Sequence, residues 1–206
     1  MYFMYVLMKP RIIAAFDFDG TLTTRDTFMP FALFIVGPGK WLWTLFLLIP
    51  SVFQFLFRII TRQELKERAI TLFLQNMPYH ELEEAGKEFA AEIIPKLLKK
   101  NAMNRLKWHL EQDHHVILIS ASPEVYLHPW AKMMGIHNVC GSRLELDNQG
   151  HVTGKLMGLN CRAEEKVKRL KELMGNEKEY ELYAYGNSRG DKELLAYADH
   201  RYFRKI

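Results

Sequence analysis

The chain has 206 residues, 49% hydrophobic and 25% charged, enough for one sizeable core and unlike a disordered tail or a fibrous repeat. Its net charge of +4 (28 basic minus 24 acidic residues) is spread through helical segments without a dense basic tract, so nucleic acid is not an expected partner. The two cysteines, Cys140 and Cys161, form neither a CxxC pair nor a zinc spacing and read as inert thiols of a reduced, cytoplasmic protein.

Residues 1–10, "MYFMYVLMKP", lack a basic n-region and a small-residue cleavage site. They read as a short tail before the first strand, with no cleaved signal peptide expected. "RIIAAFDFDG", 11–20, is an apolar run that ends in carboxylates and glycine. That pattern predicts a buried parallel strand with a functional loop at its C-terminal end. Asp17 and Asp19 are two apart, so they can converge on one spot, and Gly20 lets the backbone approach a ligand closely. Two carboxylates held together repel, and such a site wants a cation or a shared proton. Bound Mg²⁺ would satisfy both and leave room for a phosphate.

The interval from Thr27 to Pro95 has no comparable strand pattern. It reads as a helical insertion (27–96), with breaks expected at Gly37-Pro38-Gly39, Pro50 and Pro78. Segments 1–26 and 97–206 then make one α/β core. Within the insertion, residues 41–57, "WLWTLFLLIPSVFQFLF", carry no charge and lie between Lys40 and Arg58. The run is shorter than the about 20 residues a crossing needs, and a single crossing would part Asp17 from the rest of the core. Two readings stay open: the run is the insertion's own core, or its Trp and Phe residues dock on a membrane surface.

"HVILISAS", 115–122, is a second buried run, ending in serines, and "LYAYGNSRGD", 182–191, is a third. Helical patterns cover Asn101 to Gln112, Pro123 to Met134 and Ala163 to Met174. "RLELDNQGHVTGKL", 143–156, reads as a β-hairpin around Asn148-Gln149-Gly150 at the sheet's edge. Strands alternating with helices predict a doubly wound, mostly parallel α/β sheet of the Rossmann-like kind. Ligands bind beyond the C-terminal strand ends in such sheets, where all three polar clusters fall. Ser120 offers a hydroxyl and nearby amides to a phosphoryl oxygen, and Lys166, opening a helix, can offset developing negative charge. Asn187 and Asp191 supply further oxygens.

The order Asp-x-Asp-Gly-Thr, Ser, Lys, Gly-Asn-x-x-x-Asp resembles the haloacid dehalogenase superfamily of phosphatases. The insertion after the first motif resembles the helical cap of its phosphoserine-phosphatase-like branch. The resemblance implies Asp17 as nucleophile, forming an aspartyl phosphate, and Asp19 as the acid and then base. It implies phosphate contacts from Gly20, Thr21, Ser120, Ala121 and Lys166. It also implies a Mg²⁺ site from Asp17, Asp19, Asn187 and Asp191. Asn187 is a departure, since the superfamily usually has Asp there; an amide oxygen still ligates but is neutral, so weaker metal binding is expected. Asp26 and Arg68 fall near the residues with which phosphoserine phosphatases hold the substrate's amine and carboxylate. The expected substrate is a phosphorylated small molecule. The alternative is a lipid head group reached by docking residues 41–57 on the inner face of the membrane, as in enzymes resembling phosphatidylglycerophosphatase. A third reading is a non-catalytic, membrane-associated binding protein on a degenerate phosphatase core.

Overall fold

A computed structural model describes residues 11–136 and 138–204. The expected N-terminal tail lies outside the described residues. Strand β1 (Arg11–Phe16) leads into a tight turn over 18–22, followed by three helices, α1 (Phe28–Leu56), α2 (Arg62–Leu74) and α3 (Tyr79–Glu92). The chain then alternates: α4 (Lys100–Glu111), β2 (His115–Pro123), α5 (Glu124–Met133), β3 (Asn138–Ser142), the hairpin β4 (Leu144–Leu146) and β5 (Val152–Leu156), α6 (Glu164–Met174), β6 (Tyr180–Gly186), α7 (Lys192–Tyr197) and β7 (His200–Phe203).

Five strands form one parallel sheet in the order β3-β2-β1-β6-β7. Alternate residues feed opposite faces, as the pleat requires. Ala14, Phe16, Val116, Leu118 and Tyr185 join the core under α4 and α5, while Ile13, Ala15, Ile117, Ile119, Leu182 and Ala184 meet Leu170 of α6 and Leu194 of α7. Both faces are therefore covered, which explains why the strands read as continuous apolar runs. The arrangement is the doubly wound sheet that the sequence predicts.

Three details differ from expectation. Strands β3 and β7 have no apolar run to announce them and sit at the two sheet edges. The hairpin forms, but as a separate two-stranded sheet rather than an extension of the main one. It leans on the insertion instead: Val152 N donates to Met77 O at 3.0 Å, and Thr71 Oγ1 to Gly154 O at 3.2 Å. Helix α1 breaks at Gly37, whose φ of 74° is open to glycine at little cost, yet it runs on through Pro50. Pro50 is exposed, so water can take up the carbonyl bond that proline removes.

The second half of α1 is not an internal core. Thr44, Leu48 and Ser51 make a narrow buried stripe, whereas Trp43 and Phe46 are each 62% exposed and Phe57 is 74% exposed. By length and composition α1 would suffice to cross a membrane. Its second half, however, is tied to the same body: Trp41 Nε1 folds back across the break to donate to Met29 O at 3.2 Å, and Arg68 of α2 donates to Ser51 Oγ at 3.2 Å.

Candidate active site

Asp17 follows the last residue of β1, and its amide donates to Tyr185 O of β6 at 2.9 Å, which aligns the two strand ends. Lys166 reaches them from the first turn of α6. Its ammonium donates to Asp17 Oδ1 at 2.7 Å and to Asp191 Oδ1 at 2.5 Å. Asp17 and Lys166 are only 6% and 2% exposed, so the pairing takes place away from bulk water. Burial pushes the Asp17 carboxyl up, against the opposing pull of Lys166. Burial alone would also lower Lys166, but Asp17 and Asp191 outweigh it and hold the ammonium above the usual lysine range. Asp191 ends below the ordinary carboxyl range: Lys166 and the bonds from Ser188 overcome its burial. Thr21 Oγ1 donates to the other Asp17 oxygen at 3.1 Å.

Asn187 and Asp191 share the loop after β6. Asp191 Oδ2 accepts from the Asn187 amide at 3.1 Å and from the Ser188 amide and hydroxyl, each at 2.9 Å. Gly186 is needed there, because a Cβ on it would lie 2.5 Å from Asp191 Cβ. Asn187 Oδ1 is buried with no hydrogen-bond partner. An orphaned acceptor on the Asp191 loop, packed against the Asp17–Gly20 turn, suits an oxygen-seeking cation such as Mg²⁺. Among the described residues no three His, Cys, Asp or Glu side chains cluster as a metal site. The donors assembled here are two carboxylates and an amide. Gly20, at φ 72°, packs against that amide.

Asp19 is held at both oxygens. Thr27 donates to Oδ1 through its amide at 3.0 Å and its hydroxyl at 2.6 Å, and Ser122 Oγ donates to Oδ2. Its carboxyl is nevertheless pushed up to about 7, first by burial and then by the charge of Asp26. A carboxyl that changes protonation near neutrality can serve as acid and as base. Ser120 is buried at the end of β2, its hydroxyl accepting from the Ser122 amide at 3.2 Å. The Ala121 carbonyl accepts from Ser142 Oγ at 2.7 Å and from Lys66 Nζ of α2.

Nine of the eleven residues singled out in the sequence therefore gather at one end of the sheet, in its strands and loops or on the helix start beside it. Asp26 is close enough to raise Asp19, but its own carboxylate accepts from the amides of Phe28 at 3.0 Å and Met29 at 3.3 Å, capping α1. Arg68 does not join the cluster. It bonds Ser51 and Gln54 of α1. The residue of α2 that does reach the loops is Lys66, and two helical positions rotate a side chain about 200°, which points Arg68 the other way. Lys66 also donates to Ser142 Oγ at 3.1 Å and Asn160 Oδ1 at 3.0 Å, and burial holds its ammonium down at about 8. Sequence reasoning missed Thr27, Ser122 and Lys66. Ser122 alone left a signal, lying one strand period beyond Ser120.

Carboxylates at the carboxyl ends of a parallel sheet, joined by a buried lysine, sit where α/β enzymes bind their ligands. The chain matches the haloacid dehalogenase-like hydrolase family model over residues 14–196, and it belongs to that family. It is 34% identical over 193 residues to Protein CicA of Caulobacter vibrioides, covering 94% of this chain and 86% of that one. Its fold is similar to that of a Bordetella pertussis Tohama I protein of unknown function (TM-score 0.77, 23% identity, 91% and 87% of the two chains). It is also similar to a substrate-bound phosphoserine phosphatase complex (TM-score 0.61, 16% identity, 93% and 84% of the chains).

Proposed function

We propose that the chain is a phosphomonoesterase that works through an aspartyl phosphate on Asp17 and uses Mg²⁺. The observation that carries this reading is the division of labour between the two aspartates. Asp17 shares the buried Lys166 with Asp191, while Asp19 sits apart with a carboxyl pushed up to about 7. An Asp17 oxygen attacks phosphorus as the bond to the leaving oxygen breaks, and Asp19 gives that oxygen its proton. Asp19, now ionised, takes a proton from water, whose oxygen attacks phosphorus and releases inorganic phosphate from Asp17. Thr27 and Ser122 hold Asp19 in place through both steps. Ser120, the turn at Gly20 and Thr21, and the Ala121 backbone are the proposed phosphate contacts, with Lys166 balancing charge. Asp17, the Asp19 backbone oxygen, Asn187 and Asp191 would hold Mg²⁺, which when bound supplies electrostatic stabilisation of the phosphoryl oxygens. Asp17→Asn should abolish turnover of p-nitrophenyl phosphate while leaving the fold intact by circular dichroism; a variant with full activity overturns the mechanism.

A specific observation favours a lipid head group over a phosphoserine-like metabolite. Asp26 is occupied as a helix cap and Arg68 by Ser51 and Gln54, so neither is aimed at a substrate amine or carboxylate. The second half of helix α1 and the residue after it meanwhile expose Leu42, Trp43, Phe46, Phe53, Leu56 and Phe57, a stretch flanked by Lys40 and Arg58. An apolar face edged by cations and aromatics fits an anionic bilayer surface. In this reading helices α1–α3 act as a cap that rests on the membrane and brings the site to a lipid-borne phosphate. Sedimentation with anionic vesicles tests it. The wild type should co-sediment, and Phe46→Glu/Leu56→Glu should not, while hydrolysing p-nitrophenyl phosphate normally. Equal sedimentation of both proteins sinks the docking reading.

A further inference from the structure

Behind the Asp17 loop lies a polar cavity of 350 Å³ lined by Gly20, Thr21, Thr24, Lys99, Gly186, Asn187 and Arg204. It shares the Gly20–Thr21 turn and Asn187 with the candidate active site and extends away from it toward Lys99 and Arg204. Neither Ser120, Lys166 nor any residue of α1–α3 lines it. Two of its lining side chains are cations and none is an acid. Among the described residues the Lys99 ammonium donates only to a neutral oxygen, the Gly20 carbonyl, and Arg204 Nε donates to the Asn187 carbonyl at 2.9 Å. Neither cation forms an ion pair with a carboxylate among the described residues.

Arg204 is brought there by a strained backbone. Its φ is 55°, in the left-handed region that costs a non-glycine residue about 1 kcal/mol. From there the Arg204 amide donates to Gly186 O at 3.0 Å, continuing the β6–β7 ladder. The guanidinium lies over the Phe203 ring at 5.1 Å and has five donors, of which one is used in the bond to Asn187; among the described residues the others meet no acceptor, leaving an edge for an anion. Asn187 completes the logic. An aspartate at that position would place a negative charge on the cavity wall and neutralise one of the cations. The amide does not, and the wall stays positive.

We propose that this cavity is an oxyanion site, back to back with the phosphoryl-transfer site across the Gly20–Thr21 turn, that takes inorganic phosphate through Lys99 and Arg204. Phosphate is the product of the proposed reaction, so a site next to the catalytic loop would give it a place to dwell on leaving and a means of slowing the enzyme when it accumulates. The recognition itself does not depend on turnover and is tested without it.

The experiment is calorimetric titration of inorganic phosphate into the full chain in EDTA, at fixed ionic strength. The wild type should bind phosphate. Lys99→Met/Arg204→Met should weaken binding about tenfold or more, since two cations within contact distance of one anion are lost. Lys99→Gln/Arg204→Gln should do the same, which guards against a packing artefact of methionine, and unchanged melting curves should accompany both. Asn187→Asp, which adds the missing charge, should also weaken binding. Lys166→Met, titrated at a temperature where circular dichroism shows it folded, should keep this affinity within about twofold, because Lys166 does not line the cavity. No binding by the wild type, or unaltered affinity in the Lys99/Arg204 variants, overturns the proposal. So does loss of all binding in Lys166→Met, which would place the phosphate wholly in the transfer site. Absence of p-nitrophenyl phosphate hydrolysis by the wild type would count against the proposed catalytic function but not against this site.

Discussion

Lys166→Met is the substitution whose cost the geometry defines most sharply. The ammonium lies 2.7 Å from Asp17 Oδ1 and 2.5 Å from Asp191 Oδ1, with side-chain exposures of 2%, 9% and 1% for Lys166, Asp17 and Asp191. Methionine keeps the apolar stem and removes the charge. Taking one partner from a buried pair costs about 3–5 kcal/mol, because the remaining charge stays desolvated. Here two carboxylates are left, facing one another. Against a typical total of about 5–15 kcal/mol, the variant should unfold at a much lower urea concentration. The pH dependence gives a second reading. In the wild type Lys166 holds Asp191 below the ordinary carboxyl range. Without it only the bonds from Thr21 and Ser188 oppose burial and mutual repulsion, and both carboxyls rise above their unfolded values. A raised carboxyl favours the protonated folded state, so the stability deficit should shrink as pH falls toward 5 and grow as pH rises toward 8. Adding Asp191→Asn removes one of the stranded charges, and the double variant should be less destabilised than the sum of the two single variants. Additive costs, or a deficit that does not change with pH, would refute the shared-lysine account.

Three further outcomes follow from the same site. Asp19 is raised by burial first and by Asp26 second, so Asp26→Asn should move the limb of kcat/KM that falls above about pH 7 to lower pH; an unmoved limb would show that Asp26 does not act on Asp19. Gly20→Ala puts a Cβ 2.0 Å from Asn187 Nδ2 at a φ of 72°, so Asn187 must swing away, with a loss of about 1 kcal/mol in stability and a larger loss of turnover; wild-type activity would contradict the packing. Asn187→Asp should lower the Mg²⁺ concentration needed for half-maximal activity, and no change would remove residue 187 from the metal set.

Much of the core was legible because it rests on local patterns. The buried runs at 11–16, 115–122 and 182–185 announced three central strands, and the 3.6-residue period announced α4, α5 and α6 to within a residue or so. The edge strands β3 and β7 were not legible, since "NVCGS" and "HRYF" carry neither alternation nor an apolar run. They are strands because a neighbour is already in place to pair with. Asp17, Asp19, Ser120, Lys166, Asn187 and Asp191 could be read from motif order alone. Lys66 could not, because nothing in "ELKERAITLF" distinguishes the side of α2 that faces the loops from the side that carries Arg68.

The sequence by itself determined the sheet's central strands, the identity of the family and the residue types at the strand ends, because each is set by short-range periodicity or fixed spacing. The tertiary structure decided which charges meet. It joined Lys166 to two aspartates distant in the chain and turned Arg68 away and Lys66 inward. It also left the apolar half of α1 on the surface and gathered Lys99 and Arg204 behind Asn187. Distance and burial fix the strength of a charge, and neither exists until the chain has closed on itself.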